Sequence, residues 1–215
     1  FVLNYPVQSS EPILSARFVA RLPKAMPLQI KLLNEQYNTF GATLMPQKVE
    51  DGNYRVYTWD FKDIPQIVPE SNMPADVEIN PTILLSTFTR WEDVHQWWWE
   101  LARDKIQRGK VIQDKAKELT QGLSSEEEKV RAIYNFCAQK IRYVAVEYGQ
   151  AGYEPHQAED ILKNKYGDCK DQAVLLVALL KEAGIPAGLT LIATDGYYNL
   201  HDDFPTVLFN HCIAV

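Results

Sequence analysis

The 215 residues hold three cysteines, Cys137, Cys169 and Cys212. Their count is odd, their spacing is wide and no CxxC occurs, so neither a disulfide framework nor a cysteine-built zinc site is expected. Basic residues are outnumbered and the net charge is −6. A nucleic-acid binder needs a basic footprint, and this chain lacks one, so no nucleic-acid partner is expected. No apolar run approaches the roughly 18 residues of a membrane helix, which argues against an integral membrane segment. Glycine-rich phosphate loops and dense carboxylate clusters are also missing, so the sequence calls for no cofactor and no metal. The nearest thing to an acidic loop is Asp202-Asp203. The chain opens on Phe1 with no basic-then-apolar leader and closes on the apolar Ile213-Ala214-Val215. Both ends are expected to be boundaries inside a longer sequence.

What is present is ordinary for a globular protein. Apolar residues make up 46% and charged residues 23%. The length suits one large domain or two modest ones. The first ninety residues read as β-rich. In "ARFVARLP", Phe18, Ala20 and Leu22 alternate with Arg17, Val19 and Arg21. "LQIKLLNE" repeats the pattern with Leu28, Ile30 and Leu32. "KVEDGNYRVYTWDF" reads as a hairpin turning at Asp51-Gly52. Pro65, Pro69, Pro74 and Pro81 predict an extended connector over 64–81.

From Trp91 the period becomes helical. Trp97-Trp98-Trp99 cover roughly 200° of helix circumference, more than one buried stripe. Two of them are expected on a core and the third at a domain junction, with an aromatic binding platform as the alternative. Ser124 and Glu127 predict a capping box for a helix burying Val130, Ile133, Tyr134, Cys137 and Ile141. Cys137 is therefore expected to be an inert buried thiol. "IRYVAVEYG" reads as a strand, and 158–165 as a short helix.

The stretch "YGDCKDQAVLL" then places a cysteine at a helix start. Asp168 is a good N-cap, and Gly184-Ile185-Pro186 stops the helix. Positions 173–180 are apolar on every side, so this helix should be surrounded by protein. Free N–H groups and the helix dipole favour a thiolate at Cys169, and Lys170 adds a cation whose side chain is expected toward solvent. A thiolate nucleophile needs a base. In "TVLFNHCIAV", read as a strand, Val207, Phe209, His211, Ile213 and Val215 share one face, expected to pack on the cysteine helix. His211 is thus the best-placed base, or else a core histidine satisfied by a carbonyl. Cys212 would point to the opposite face and away from that site. His156 reads as a loop residue, His201 as part of a solvated loop with Asp202 and Asp203, and His95 as structural.

"YGDCKDQAVLLVALLKEAGIPA" followed by "FNHCIAV" resembles the bacterial transglutaminase-like superfamily, over residues 124–215. "IPQIVPESNMP" and "INPTILLSTFTRWEDVHQWW" resemble a β-rich domain of unknown function that often precedes such domains in bacterial envelope proteins. The resemblance implies an α+β chain. A β-rich, sandwich-like accessory domain over 1–88 would precede a helical connector over 89–123. A papain-like transglutaminase core over 124–215 would follow, truncated at its C-terminus. It makes Cys169 the nucleophile and His211 the general base. The family's third member, an aspartate on the following strand, would fall beyond Val215; Asp202 and Asp203 precede His211 and do not match that slot. The Cys169 N–H is a natural oxyanion donor, and Tyr143 and Tyr148 are candidates for a second, with Asp168 lining the cleft. The implied activity is thiol-dependent acyl transfer through a Cys-His-(Asp) triad on a protein or peptide substrate. Hydrolysis gives a cysteine protease or amidase, and an amine acceptor gives a cross-linking transglutaminase. The alternative is a non-catalytic scaffold or peptide-binding module of the cell envelope. A periplasmic or exported location follows from the resemblance alone.

Overall fold

The computed structural model describes residues 1–145, 149–194 and 200–215. They divide into two compact units. The first comprises Phe1–Val94 with residues 200–208, and the second residues 95–194 with Phe209–Val215.

In the first unit, strands β1 (Val2–Pro6), β2 (Ile13–Pro23), β3 (Gln29–Leu33), β4 (Gln47–Asp51) and β5 (Tyr54–Ile64) precede helix α1 (Asp76–Ile79) and strand β6 (Thr82–Ser86). They form two antiparallel sheets, ordered β2-β5-β4 and β1-β6-β3. The alternation in β2 is realised: Ala20 and Leu22 are buried and Val19 is 48% exposed. On β5, Tyr57, Trp59 and Phe61 face the same core. Phe18 pairs with Trp59, and their rings stack at 4.9 Å. Gly52 turns the β4–β5 hairpin at φ 55°, a left-handed conformation that glycine takes without a Cβ penalty. Residues 64–81 are not extended throughout, because α1 interrupts them. Strand β6, hidden in sequence behind that proline-rich stretch, is the buried centre of its sheet. Residues 200–208 are held in this unit. Ser86 Oγ donates to Pro205 O at 2.6 Å, Trp91 Nε1 donates to Asp202 O at 2.8 Å, and Lys31 pairs with Asp203.

In the second unit lie most of α2 (Trp91–Ala102), then α3 (Lys110–Thr120), α4 (Glu126–Lys140) and β7 (Arg142–Tyr143). After them come α5 (Ala158–Asn164), β8 (Tyr166–Gly167), α6 (Cys169–Glu182), β9 (Leu189–Ile192) and β10 (His211–Ala214). The centre is α6, packed by α3, α4 and α5 and by the antiparallel β9–β10 pair. Val174, Leu175, Val177, Ala178 and Leu179 have no exposed surface, as an all-round apolar helix requires. Each of the larger side chains contributes about 1.5–3 kcal/mol by leaving water. The C-terminal stop is a left-handed glycine, Gly184 at φ 79°.

Four local expectations shift. The α4 cap is Ser125, with Glu128 completing the box, one residue beyond the pair read from the sequence. Tyr134 is 56% exposed, whereas Ile133 and Cys137 are buried. Strand β7 holds Arg142 and Tyr143 alone, and β10 starts only at His211. Trp97, Trp98 and Trp99 all engage the second unit. Trp98 is buried with Nε1 donating to Tyr153 O at 3.2 Å, Trp97 meets the Tyr153 ring edge-on, and Trp99 packs on the main core. His95 stacks on Trp99.

Candidate functional site around Cys169

Cys169 is the first residue of α6, and Asp168 is its N-cap. The Asp168 side chain accepts from Asp171 N, and the Asp171 side chain accepts from Asp168 N. This reciprocal capping box fixes the first turn, where unpaired N–H groups converge. Half-buried Cys169 packs against a buried cluster of Trp98, Ala102, Ala173 and Cys212.

Two groups beside the thiol carry its electrostatics. Tyr143, on β7, neighbours Cys169. Burial, followed by the charge and hydrogen bond of Cys169, raises the Tyr143 pKa, which keeps the phenol protonated and able to donate. The second is a buried ion pair between Lys170 Nζ and the Asp168 carboxylate, whose side chains are 5% and 3% exposed. Lys170 does not reach solvent as expected. Its four-carbon stem folds back on the N-cap, because the surroundings of α6 leave a cation no outlet but the neighbouring carboxylate.

The glycine of "YGDC" has a steric reason. A Cβ on Gly167 would sit 2.5 Å from Asp171 Cβ and 2.9 Å from its Oδ2. Gly167→Ala should therefore displace Asp171 and cost about 1–3 kcal/mol. The midpoint of urea unfolding reads this, and an unchanged midpoint would contradict it.

His211 opens β10 opposite Ile192. Its face is not the expected one. The side of the β9–β10 pair that packs toward α6 carries Leu189, Leu191, Cys212 and Ala214. His211 and Ile213 alternate with these and belong to the other row. His211 and Cys169 form no hydrogen bond with each other. Cys212, expected to point away, is the β10 residue that lies against Cys169. The alternation was legible, but which row faces the helix depends on which side of the strand α6 occupies.

The remaining candidates are scattered. Burial pushes the Cys137 and Cys212 thiols up to about 12. His201 is partly buried in the first unit, and desolvation followed by nearby Lys31 lowers its pKa, unlike a solvated loop histidine. Asp203 is paired with Lys31. Tyr148 lies outside the described residues. Among the described residues no cluster of His, Cys, Asp or Glu is arranged to hold a metal ion, and no helix is long and apolar enough to cross a membrane.

One group went unread in the sequence. His156 binds the Asp171 carboxylate through its main-chain N–H at 2.8 Å and through Nδ1 at 3.1 and 3.2 Å. The Asp168-x-x-Asp171 spacing could have signalled the capping box. Nothing in the local pattern ties residue 156 to it.

The family model of the transglutaminase-like superfamily matches residues 113–206, a span that contains Cys169 and stops short of His211. A solved structure from Parabacteroides distasonis, described as a "putative protease", aligns over 99% of this chain with a TM-score of 0.78 and 20% identity. This chain spans 40% of that one, and the likeness is one of fold. A "putative cysteine protease" from Cytophaga hutchinsonii aligns over 99% of this chain and 69% of its own, at 12% identity and a TM-score of 0.44. No curated protein matches. The segment that matches the transglutaminase-like superfamily model, residues 113–206, contains the helix that begins at Cys169 and most of the elements packed round it.

Proposed function

We propose that the chain carries a thiol-dependent acyl-transfer site with Cys169 as nucleophile. The observation behind this reading is the seating of Cys169, half-buried on the first turn of a buried helix with Tyr143 as a neighbour. The thiolate attacks the carbonyl carbon of a peptide or carboxamide. The carbonyl oxygen becomes an oxyanion, which the Cys169 N–H and the Tyr143 hydroxyl are placed to receive. Collapse expels the amine and leaves a thioester, and water then releases the acid. His211 is assigned the proton transfers on the strength of the resemblance and of its place beside Cys212, which touches Cys169. Its ring must turn round the start of β10 to reach the sulfur. Side-chain contacts of this kind commonly tighten only with substrate bound.

Water as acceptor makes this a cysteine protease or amidase, acting on a protein or peptide; a lysine amine would make it a cross-linking transglutaminase. In either case a Cys-His pair would be completed by an acid. The two sheets of the first unit read as a sandwich-like accessory domain. A second reading, a non-catalytic peptide-binding module of the cell envelope, is favoured by the row His211 occupies.

Iodoacetamide at neutral pH tests the nucleophile. Cys137 and Cys212, at about 12, are ionised at a fraction on the order of 10⁻⁵ and serve as internal references. Peptide mapping should find Cys169 alkylated at least about a hundredfold faster than either. Equal rates would refute the nucleophile and favour the module.

A further inference from the structure

Asp171 is a carboxylate 4% exposed whose ion-pair partner is His156, a ring 65% exposed. The neighbouring cation, Lys170, is engaged by Asp168. A buried carboxylate needs donors, and each one lost leaves it more poorly compensated. Asp171 takes them from three groups: the His156 N–H, the His156 ring and Asp168 N. A carboxylate has no proton to give, so Nδ1 is the donor.

The same loop has a second hold near the thiol. Tyr153 packs in the cluster that contains Cys169, and its carbonyl accepts from Trp98. Glu154 pairs with Lys105 at 2.7 Å, and Pro155 is buried. Four consecutive residues thus run from the cluster on which Cys169 packs to the carboxylate that closes the capping box.

We infer that His156 is a positioning residue for Cys169: through Asp171 it locks the first turn of α6 and the loop whose Tyr153 packs on the same cluster as Cys169. The inference rests on the nucleophile role proposed above. With the His156 ring removed and its main-chain N–H kept, Asp171 loses its Nδ1 donor, draws in water and loosens from Asp168 N. The first-turn N–H groups around the sulfur then lose their alignment.

Two measurements on the full chain test this: amide exchange over 153–156 and 168–172, and the alkylation rate of Cys169. His156→Ala should speed exchange of the first turn about tenfold and slow alkylation about tenfold. His156→Gln keeps an N–H donor within reach of Asp171 and should restore both to within about threefold of native. Native exchange in His156→Ala overturns the inference. So does a glutamine variant as impaired as the alanine one, which would mean that loop packing alone is lost. If native Cys169 alkylates no faster than Cys137, the nucleophile reading fails instead, and exchange still decides whether His156 locks the turn.

Discussion

Cys169→Ala should release no burst of 4-nitrophenolate from 4-nitrophenyl acetate, whereas the native chain releases about one equivalent before turnover settles. The ester acylates a reactive thiol without demanding a particular peptide, so the assay does not depend on knowing the natural substrate. The variant should keep its fold, since Cys169 is only half-buried and lies at the first turn, away from the apolar body of α6. Cys137 and Cys212 cannot substitute, because burial keeps both protonated. His211→Ala should keep the burst but slow it by about 10²–10⁴, the usual contribution of a general base. A native burst rate in that variant would remove His211 from the mechanism, and the row it occupies on β10 makes this a sharp test. A burst that survives Cys169→Ala would dismiss the nucleophile altogether.

Lys170→Met should destabilise the second unit by about 3–5 kcal/mol, because it strands the Asp168 carboxylate in a buried site without its cation. At about 2–4 °C per kcal/mol this lowers the transition of that unit by roughly 10 °C. Methionine matches the lysine stem in length, so packing is largely kept and the loss reports the charge. Pairing the change with Asp168→Asn should recover part of the loss, since asparagine is also a good N-cap and brings no charge to bury. Scanning calorimetry of the two variants decides the matter. A single variant within about 1 kcal/mol of native would mean that water reaches Asp168 and that the pair is worth no more than a surface one.

The pair bears on chemistry as well as on stability. Asp168 and Lys170 flank Cys169 in the chain and neutralise each other. What then faces the sulfur is the set of helix N–H groups held by the capping box. Stability of the first turn and reactivity at Cys169 should therefore move together in the Gly167, His156 and Lys170 variants.

Several features were legible because local physics settles them. The extent of α6 was: a capping aspartate, an apolar run with no polar face and a Gly-Ile-Pro stop fix both ends of a helix without reference to anything else. The alternation of β2 and the turn at Gly52 were readable for the same reason. Cys137 was correctly read as buried, since helical spacing placed it among Ile133 and Ile141.

Other features turn on contacts between residues distant in sequence. The two rows of β10 were visible as an alternation. Only the packing of α6 against Leu189, Leu191, Cys212 and Ala214 decided that His211 belongs to the outer row. Lys170 looked like a solvent-facing cation, and the helices packed round α6 turned it back onto Asp168. His156 looked like a loop residue, and a buried carboxylate fifteen positions later took hold of it. The sequence by itself determined that a cysteine starts a buried helix. Tertiary packing decided what surrounds the sulfur, because a strand pattern has period two but no handle on which face meets a partner, and a charge seeks whichever counter-charge the fold leaves within reach.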